Sequence, residues 1–214
     1  MQRKYNFKHV LLSAYIFVNT VFGAPPTGKV PASECKSLVD LCIVIDGSDS
    51  ITADDYDMLR DAVANLIPEL DIAPDKARVG YVVFSSELND TVPMNGDSDY
   101  LIKMARLLHH PRDGTNTAKG IKKMREFFQA DGRPGVPWLG IVITDGISKN
   151  PLETKEQADY AKAEGVSMFA VGVTNLINKN ELNAIASTPR QVLMLQSFSQ
   201  LKDELINHEK LITT

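Results

Sequence analysis

The chain has 214 residues, of which 43% are hydrophobic and 23% are charged, and its formal net charge is −4. This length and composition are typical of one globular domain, with or without appendages, that buries a substantial core. No basic patch stands out along the sequence, so nucleic acid is not an expected partner.

The first 23 residues have the features of a secretory signal peptide rather than of a hydrophobic leader on a cytosolic protein. Three basic residues precede an apolar stretch at 10–18, and the small residue Gly23 lies before a predicted cleavage at Ala24. The apolar stretch is too short for a membrane span. Cleavage of the signal peptide would remove its three basic residues and change the formal net charge of the chain from −4 to −7. Residues 24–37 are rich in Pro, Gly and Ser and are interpreted as an arm or linker.

From residue 38 onward, strand-like and helix-like segments alternate. Strands are predicted at 41–45, 79–84, 87–92, 138–144, 166–173 and 192–195. Helices are predicted at 54–67, 99–108, 118–129, 152–164, 179–186 and 198–211. Strands separated by single helices imply a doubly wound α/β fold, with a mostly parallel sheet and helices on both faces. The short gap between the second and third strands predicts a hairpin, so the third strand is antiparallel at the edge and ends at Pro93.

Oxygen-bearing side chains follow the first predicted strand. The apolar run ends at Asp46, and Ser48 and Ser50 then alternate in a glycine-containing loop. One tight turn can direct a carboxylate and two hydroxyls toward a common centre. Hard oxygen donors suit Mg²⁺, Mn²⁺ or Ca²⁺ rather than a soft metal.

Two distant segments can add further oxygen donors to the same place. Asp145 ends the buried strand at 138–144, and Thr115 lies just before the helix at 118–129. In open α/β sheets the carboxyl edge of the strands carries ligands, so these side chains are expected to converge with Asp46. The alternative is local: such residues commonly cap helices and turns, with Thr115 or Thr117 as an N-cap.

These three segments, taken in order, resemble the metal-ion-dependent adhesion site of the von Willebrand factor type A domain. The motif parts are Asp46-Gly47-Ser48-Asp49-Ser50, Gly114-Thr115-Asn116-Thr117 and Thr144-Asp145-Gly146. The resemblance covers about residues 38–208, and the domain is expected to extend over 38–211. It implies six strands in the order 3-2-1-4-5-6, with strand 3 antiparallel.

The resemblance also implies roles for the five site residues. Ser48, Ser50 and Thr115 are expected to bind a divalent cation directly, whereas Asp46 and Asp145 act largely through water. Mg²⁺ is the favoured ion, with Mn²⁺ or Ca²⁺ as alternatives. An acidic side chain of a protein partner then supplies a ligand to the cation. For this family, which includes matrilins, collagens and integrin I domains, the typical partner is collagen or another extracellular matrix protein.

Two features depart from the family pattern. Asp49 occupies a position where many members have glycine, and the only cysteines are Cys35 and Cys42. Many extracellular members pair a cysteine before the first strand with one after the last helix, and this chain lacks the second. Cys42 is expected to be a buried thiol. A bridge between Cys35 and Cys42 requires the intervening chain to fold back, since a disulfide joins Cα atoms less than about 7 Å apart. Alternatively, Cys35 is free or forms a disulfide-linked oligomer.

Asn89 begins an N-glycosylation sequon on the predicted edge strand, and His109 and His110 are expected to be surface or capping residues.

The leading hypothesis is a non-enzymatic, secreted matrix adhesion module. One alternative is a structural matrix protein, including one of a mineralised matrix, that assembles through Cys35 or its helix faces. A Mg²⁺-dependent phosphatase is disfavoured because Ser48 occupies the position where such enzymes have a second aspartate.

Overall fold

The computed structural model describes residues 38–145, 147–173 and 178–195. The predicted signal peptide, the arm with Cys35, and the predicted helix at 198–211 lie outside the described residues.

The described residues form a six-stranded sheet. Its strands are β1 Val39–Asp46, β2 Ala77–Phe84, β3 Leu88–Asn95, β4 Trp138–Thr144, β5 Val166–Val173 and β6 Val192–Leu195. The spatial order is β3-β2-β1-β4-β5-β6, and only the β2–β3 pair is antiparallel. The predicted fold class, strand order and strand directions are therefore confirmed.

In the part of the chain that the structure describes, five α-helices cover the two faces of this sheet. They are α1 Ala53–Leu66, α2 Ser98–Leu107, α3 Thr117–Asp131, α4 Pro151–Ala163 and α5 Lys179–Ile185. Each begins and ends within two residues of its predicted bounds. Among the described residues, no helix is both long and apolar enough to cross a membrane.

Strand β1 lies at the centre of the fold because both of its faces are apolar. Leu41, Ile43 and Ile45 pack in one core with α1 and α2, whereas Cys42 and Val44 pack in the other with α3 and α4. A strand buried on both faces reads as a continuous hydrophobic run, which is why the sequence pattern located it. Cys42 is fully buried and carries a free thiol.

The prediction that Pro93 ends the third strand was wrong, because β3 continues to Asn95. β3 is the edge strand, and its pairing with β2 shifts register between the Tyr81–Val92 and Val79–Asn95 pairs. Proline has no N–H to donate, and an irregular edge strand is where a sheet tolerates this loss.

A buried ion cluster joins segments at the amino edge of the parallel strands, opposite to Asp46. Asp40 is fully buried and accepts hydrogen bonds from Arg78 Nε at 2.9 Å and from Arg133 Nε at 3.0 Å. The backbone N–H of Arg133 also donates to Asp40 Oδ2, at 2.9 Å. Burial alone would raise the pKa of Asp40, but the hydrogen bonds from both arginines outweigh it and lower the pKa.

Candidate metal-binding site

The two predicted strand-end aspartates lie side by side at the carboxyl edge of the sheet. β1 and β4 are parallel neighbours, with Ile45 opposite Ile143. Asp46 therefore ends β1 beside Thr144, and Asp145 follows directly. Both carboxylates are buried, with 0% and 7% of their residue surface exposed.

A chain of hydrogen bonds links four of the five predicted site residues. The backbone N–H of Ser48 donates to Asp46 Oδ1 at 2.9 Å. The Ser48 and Ser50 hydroxyls are 2.9 Å apart, and the Ser50 hydroxyl donates to Asp145 Oδ1, also at 2.9 Å. The structure thus brings Asp46, Ser48, Ser50 and Asp145 together, as expected from the sequence.

Thr115, the fifth predicted residue, lies in a loop that contacts the other two motif segments. Asp49 N–H donates to Asp113 O at 2.9 Å, so the Thr115 loop runs beside the Ser48 loop. Thr115 O accepts the backbone N–H of Lys149 at 2.7 Å, which joins it to the segment after Asp145. The helix N-cap is Asn116, whose side chain accepts from Lys119 N. The alternative that Thr115 or Thr117 caps α3 was therefore wrong.

Gly47 allows the Ser48 loop to sit close to its neighbours. A Cβ at Gly47 would lie 2.6 Å from Pro111 Cδ and 3.2 Å from Val83 Cγ1. The 2.6 Å approach is sterically forbidden, so any larger residue would displace either the loop or Pro111. The glycine next to Asp46 is therefore explained by close packing.

Burial disfavours ionisation of both site carboxylates, Asp46 and Asp145, when no cation is bound. Desolvation raises the pKa of Asp46 to about 6, although hydrogen bonds from Thr144 and Ser48 act in the opposite direction. Burial also raises the pKa of Asp145, with a hydrogen bond from Ser50 opposing it. A cation placed nearby would favour the ionised form of both.

The donor set fits a hard divalent cation. Hydroxyl and carboxylate oxygens are the ligands that Mg²⁺, Mn²⁺ and Ca²⁺ prefer. Three successive oxygens, from Ser48, Ser50 and Asp145, are spaced 2.9 Å apart, close enough to share one ion. Among the described residues, no group of three or more His, Cys, Asp and Glu side chains is placed to hold a metal ion, and the candidate site depends on serine and threonine hydroxyls as well as carboxylates.

Several residues that support the site were not identified from the sequence. Thr144 Oγ1 donates to Asp46 Oδ2 at 2.6 Å and orients that carboxylate. His110 is partly buried, stacks on Tyr56 with ring centroids 4.3 Å apart, and donates from Nε2 to Ser48 O at 3.1 Å. His109, by contrast, is exposed.

Glu181 and Thr154 hold the segment after Asp145 in place through hydrogen bonds to Ser148. Both oxygens of the buried Glu181 accept the backbone N–H of Ser148, at 3.1 and 3.2 Å. The Ser148 hydroxyl in turn accepts a hydrogen bond from Thr154 Oγ1 at 2.9 Å. Of these supporting residues, Thr144 could have been predicted from the sequence, because it is adjacent to Asp145 in the motif. No pattern in the sequence marks Glu181.

Asn89, the predicted glycosylation site, is exposed on β3. Its side-chain amide donates to Ser85 Oγ and to Glu87 O, both at 2.9 Å. Glycosylation at this position remains a prediction.

Comparison with known proteins assigns a family to this geometry. A profile of the von Willebrand factor type A domain matches residues 40–208. Matrilin-1 of Gallus gallus is 35% identical over 158 residues, which cover 72% of this chain and 31% of that protein. The collagen alpha-4(VI) chain of Mus musculus is 28% identical over 176 residues, covering 80% of this chain and 8% of that one. The chain thus spans less than a third of the matrilins it matches.

Solved structures give the same fold. Proximal thread matrix protein 1 from the mussel byssus, solved with a zinc-occupied MIDAS motif, superposes with a TM-score of 0.73 and 29% identity. The match covers 84% of this chain and 48% of that one. The manganese-loaded TRAP protein of Plasmodium vivax, at 19% identity and a TM-score of 0.66, covers 81% of this chain and 74% of that one, and shows the fold alone.

Proposed function

Because the chain belongs to the von Willebrand factor type A domain family, we propose that it is a secreted adhesion module of the extracellular matrix. It binds an acidic side chain of a protein partner through a divalent cation. The observation that carries this proposal is the hydrogen-bonded chain of oxygens from Ser48 through Ser50 to Asp145, placed at the carboxyl edge of the sheet.

The five site residues divide into two roles. Ser48, Ser50 and Thr115 contribute neutral hydroxyl oxygens to the cation. Asp46 and Asp145 act mainly through water and through hydrogen bonds that orient the serines. When bound, the ion supplies a positive charge that attracts an anionic ligand. Neutral direct ligands leave that charge largely uncompensated, so a carboxylate from outside the chain is favoured.

Mg²⁺ is the proposed ion. Hydroxyl and carboxylate oxygens are hard donors that suit it, and Mg²⁺ usually keeps several of its waters, which fits two aspartates that act through water. Mn²⁺ prefers similar oxygen ligands and is the second candidate.

Collagen or another matrix protein is the proposed partner class. The relatives include matrilins and a collagen VI chain, and the mussel protein that superposes is named as a matrix protein. The proposal describes binding rather than catalysis, and the family model and the matched matrilins and collagen VI chain support it. Secretion would follow from cleavage of the predicted signal peptide before Ala24.

The proposal is tested by measuring binding of the secreted chain to immobilised collagens in Mg²⁺ and in chelator. The matched variants are Asp46→Ala and Asp61→Ala, since Asp61 is an exposed aspartate on α1. We expect binding to require the cation and Asp46 and to tolerate loss of Asp61. Binding that persists in chelator, or in Asp46→Ala, would contradict the proposal.

Assembly through Cys35 remains a separate prediction. Cys42 is buried, and its raised pKa, caused by desolvation, makes it a poor thiolate nucleophile. Any intermolecular disulfide would therefore use Cys35. Mobility of the wild type and of Cys35→Ser on a non-reducing gel tests this directly.

A further inference from the structure

Thr117, the first residue of α3, has a buried hydroxyl group that the fold itself does not use. Only 1% of the residue's surface is exposed. Among the residues that the structure describes, its Oγ1 atom has no hydrogen-bond partner. Buried polar atoms are rarely left unpaired, because the pairing lost on leaving water is then not replaced. A valine has the same shape without this cost, so the hydroxyl of Thr117 indicates a ligand.

The two usual local roles of a threonine at this place are already filled by other groups. Asn116 caps α3, since its side chain accepts the N–H of Lys119 at 3.3 Å. A helical threonine can also donate to the carbonyl four residues earlier. For Thr117 that carbonyl belongs to Asp113, and it accepts the N–H of Asp49 at 2.9 Å. The hydroxyl therefore serves neither as a cap nor as a donor to its own helix.

The packing of α3 on β1 places Thr117 on the same side of the sheet as the Asp46 carboxylate. Gly120 lies against Val44, because a Cβ at Gly120 would be 2.8 Å from Val44 Cγ1. Asp46 comes two residues after Val44 and so points to the same face of β1. Thr117 comes three residues before Gly120 and so lies on a neighbouring part of the α3 surface. Both steps lead toward the carboxyl edge of the sheet, because α3 begins beside the end of β2.

Asp46 has acceptor positions that its protein contacts leave open. Its Oδ1 accepts the N–H of Ser48, and its Oδ2 accepts the hydroxyl of Thr144. An ionised carboxylate offers about four lone-pair positions, so it can also accept from water. The Thr117 hydroxyl does not bond Asp46 directly. Buried polar groups that face one another beyond direct hydrogen-bond distance are commonly joined by a water with two to four polar partners.

We propose that Thr117 is a sixth residue of the metal-binding site, and that its hydroxyl holds a water of the cation's hydration shell together with Asp46. This inference rests on the proposed function, because it requires a cation at the site. Mg²⁺ usually keeps several of its waters when a protein binds it, so groups that fix those waters contribute to affinity. Thr117 is a positioning residue in this arrangement, since it acts on the ion through water.

Two measurements on three variants test the proposal. The variants are Thr117→Val, which removes only the hydroxyl, Thr117→Ser, which keeps it, and the matched control Thr154→Val. Thr154 is as deeply buried as Thr117, but its hydroxyl donates to Ser148 Oγ at 2.9 Å. Urea unfolding of the secreted chain in chelator measures the stability of each variant without metal. Calorimetric titration with Mn²⁺ measures cation affinity.

The two measurements should change in opposite directions for Thr117→Val. In chelator its urea midpoint should rise above that of the wild type, because an unpaired buried hydroxyl is removed. The midpoint of Thr154→Val should fall, because a paired hydroxyl is removed. Mn²⁺ affinity should fall about tenfold in Thr117→Val, the scale of loss seen when outer-shell partners of a metal site are mutated. Thr117→Ser should bind Mn²⁺ like the wild type.

Three results would overturn the inference while the proposed function stands. They are a Thr117→Val variant less stable than the wild type in chelator, a Thr117→Val variant with unchanged Mn²⁺ affinity, and an equal loss of affinity in Thr117→Ser. The first would show that the hydroxyl has a structural partner, and the last would assign the effect to packing of the methyl group. A wild-type chain that binds no Mn²⁺ would overturn both this inference and the proposed function.

Discussion

Cation binding to this domain should weaken in mild acid, because a proton competes for Asp46. Burial raises the pKa of this carboxyl group to about 6. If binding requires the ionised form, apparent affinity follows the ionised fraction, which is about 0.97 at pH 7.5 and about 0.09 at pH 5. Affinity for Mg²⁺ or Mn²⁺ should therefore fall about tenfold between these pH values. The raised pKa of Asp145 adds to the decrease.

The same group sets the direction of a stability change in the metal-free protein. The folded state holds the Asp46 proton up to about pH 6, whereas an unfolded aspartate releases it near about pH 4. The stabilising contribution is therefore complete below about pH 4 and is lost as the pH rises to about 6. Two pKa units correspond to about 3 kcal/mol. Added Mg²⁺ should stabilise the protein most clearly above this range.

Calorimetric titration with Mn²⁺ across pH 5 to 7.5, together with urea unfolding of the metal-free protein, measures both effects. Asp46→Asn should bind the ion weakly at every pH and should lose the stability change between about pH 4 and 6. Asp61→Asn, at an exposed position, should behave as the wild type. A cation affinity that is constant over this pH range, or an unchanged pH profile in Asp46→Asn, would refute the reasoning.

Three further predictions concern stability, positioning and modification. Asp40→Ala removes the buried carboxylate that pairs with both Arg78 and Arg133 and should lower the free energy of unfolding by about 3–5 kcal/mol. Asp131→Ala, at a 56% exposed side chain, should cost less than about 1 kcal/mol. Urea unfolding compares them, and equal effects would contradict the assignment of Asp40 as the buried partner. Glu181→Ala leaves the buried N–H of Ser148 without its acceptor and should lower the free energy of unfolding by about 1–3 kcal/mol. The variant should also bind Mn²⁺ more weakly in calorimetry at temperatures where it is fully folded. Unchanged Mn²⁺ affinity would show that Glu181 does not position the site. Asn89→Gln should remove a glycosidase-sensitive mass from the secreted protein, and identical masses before and after the enzyme would show that Asn89 is not modified.

Local patterns predicted the elements of the fold well, and the reason is visible in β1. All residues of β1 are buried, and Leu41 through Ile45 form the uninterrupted apolar run that is expected of a strand covered on both faces. The same logic located Asp46 and Asp145, because each is the first charged residue after such a run. Pro93 shows the limit: whether a proline ends a strand depends on where in the sheet the strand lies, which no local pattern reports.

The supporting residues of the site could not be predicted, since their roles depend on contacts between distant segments. Glu181 meets Ser148 across 33 residues, and His110 meets Ser48 across 62. A glutamate in the first turn of a helix normally faces water and interacts with the helix dipole. Only the packing of α5 against the segment after Asp145 makes Glu181 a buried acceptor.

The position of the bound cation is the most direct test of the proposed site. Anomalous diffraction from crystals of the protein soaked in Mn²⁺ locates the ion independently of any binding assay. We expect a peak at the carboxyl edge of the sheet, within about 2.0–2.6 Å of the Ser48 and Ser50 hydroxyls. A peak bound elsewhere in the chain, or none at this site at saturating Mn²⁺, would contradict it.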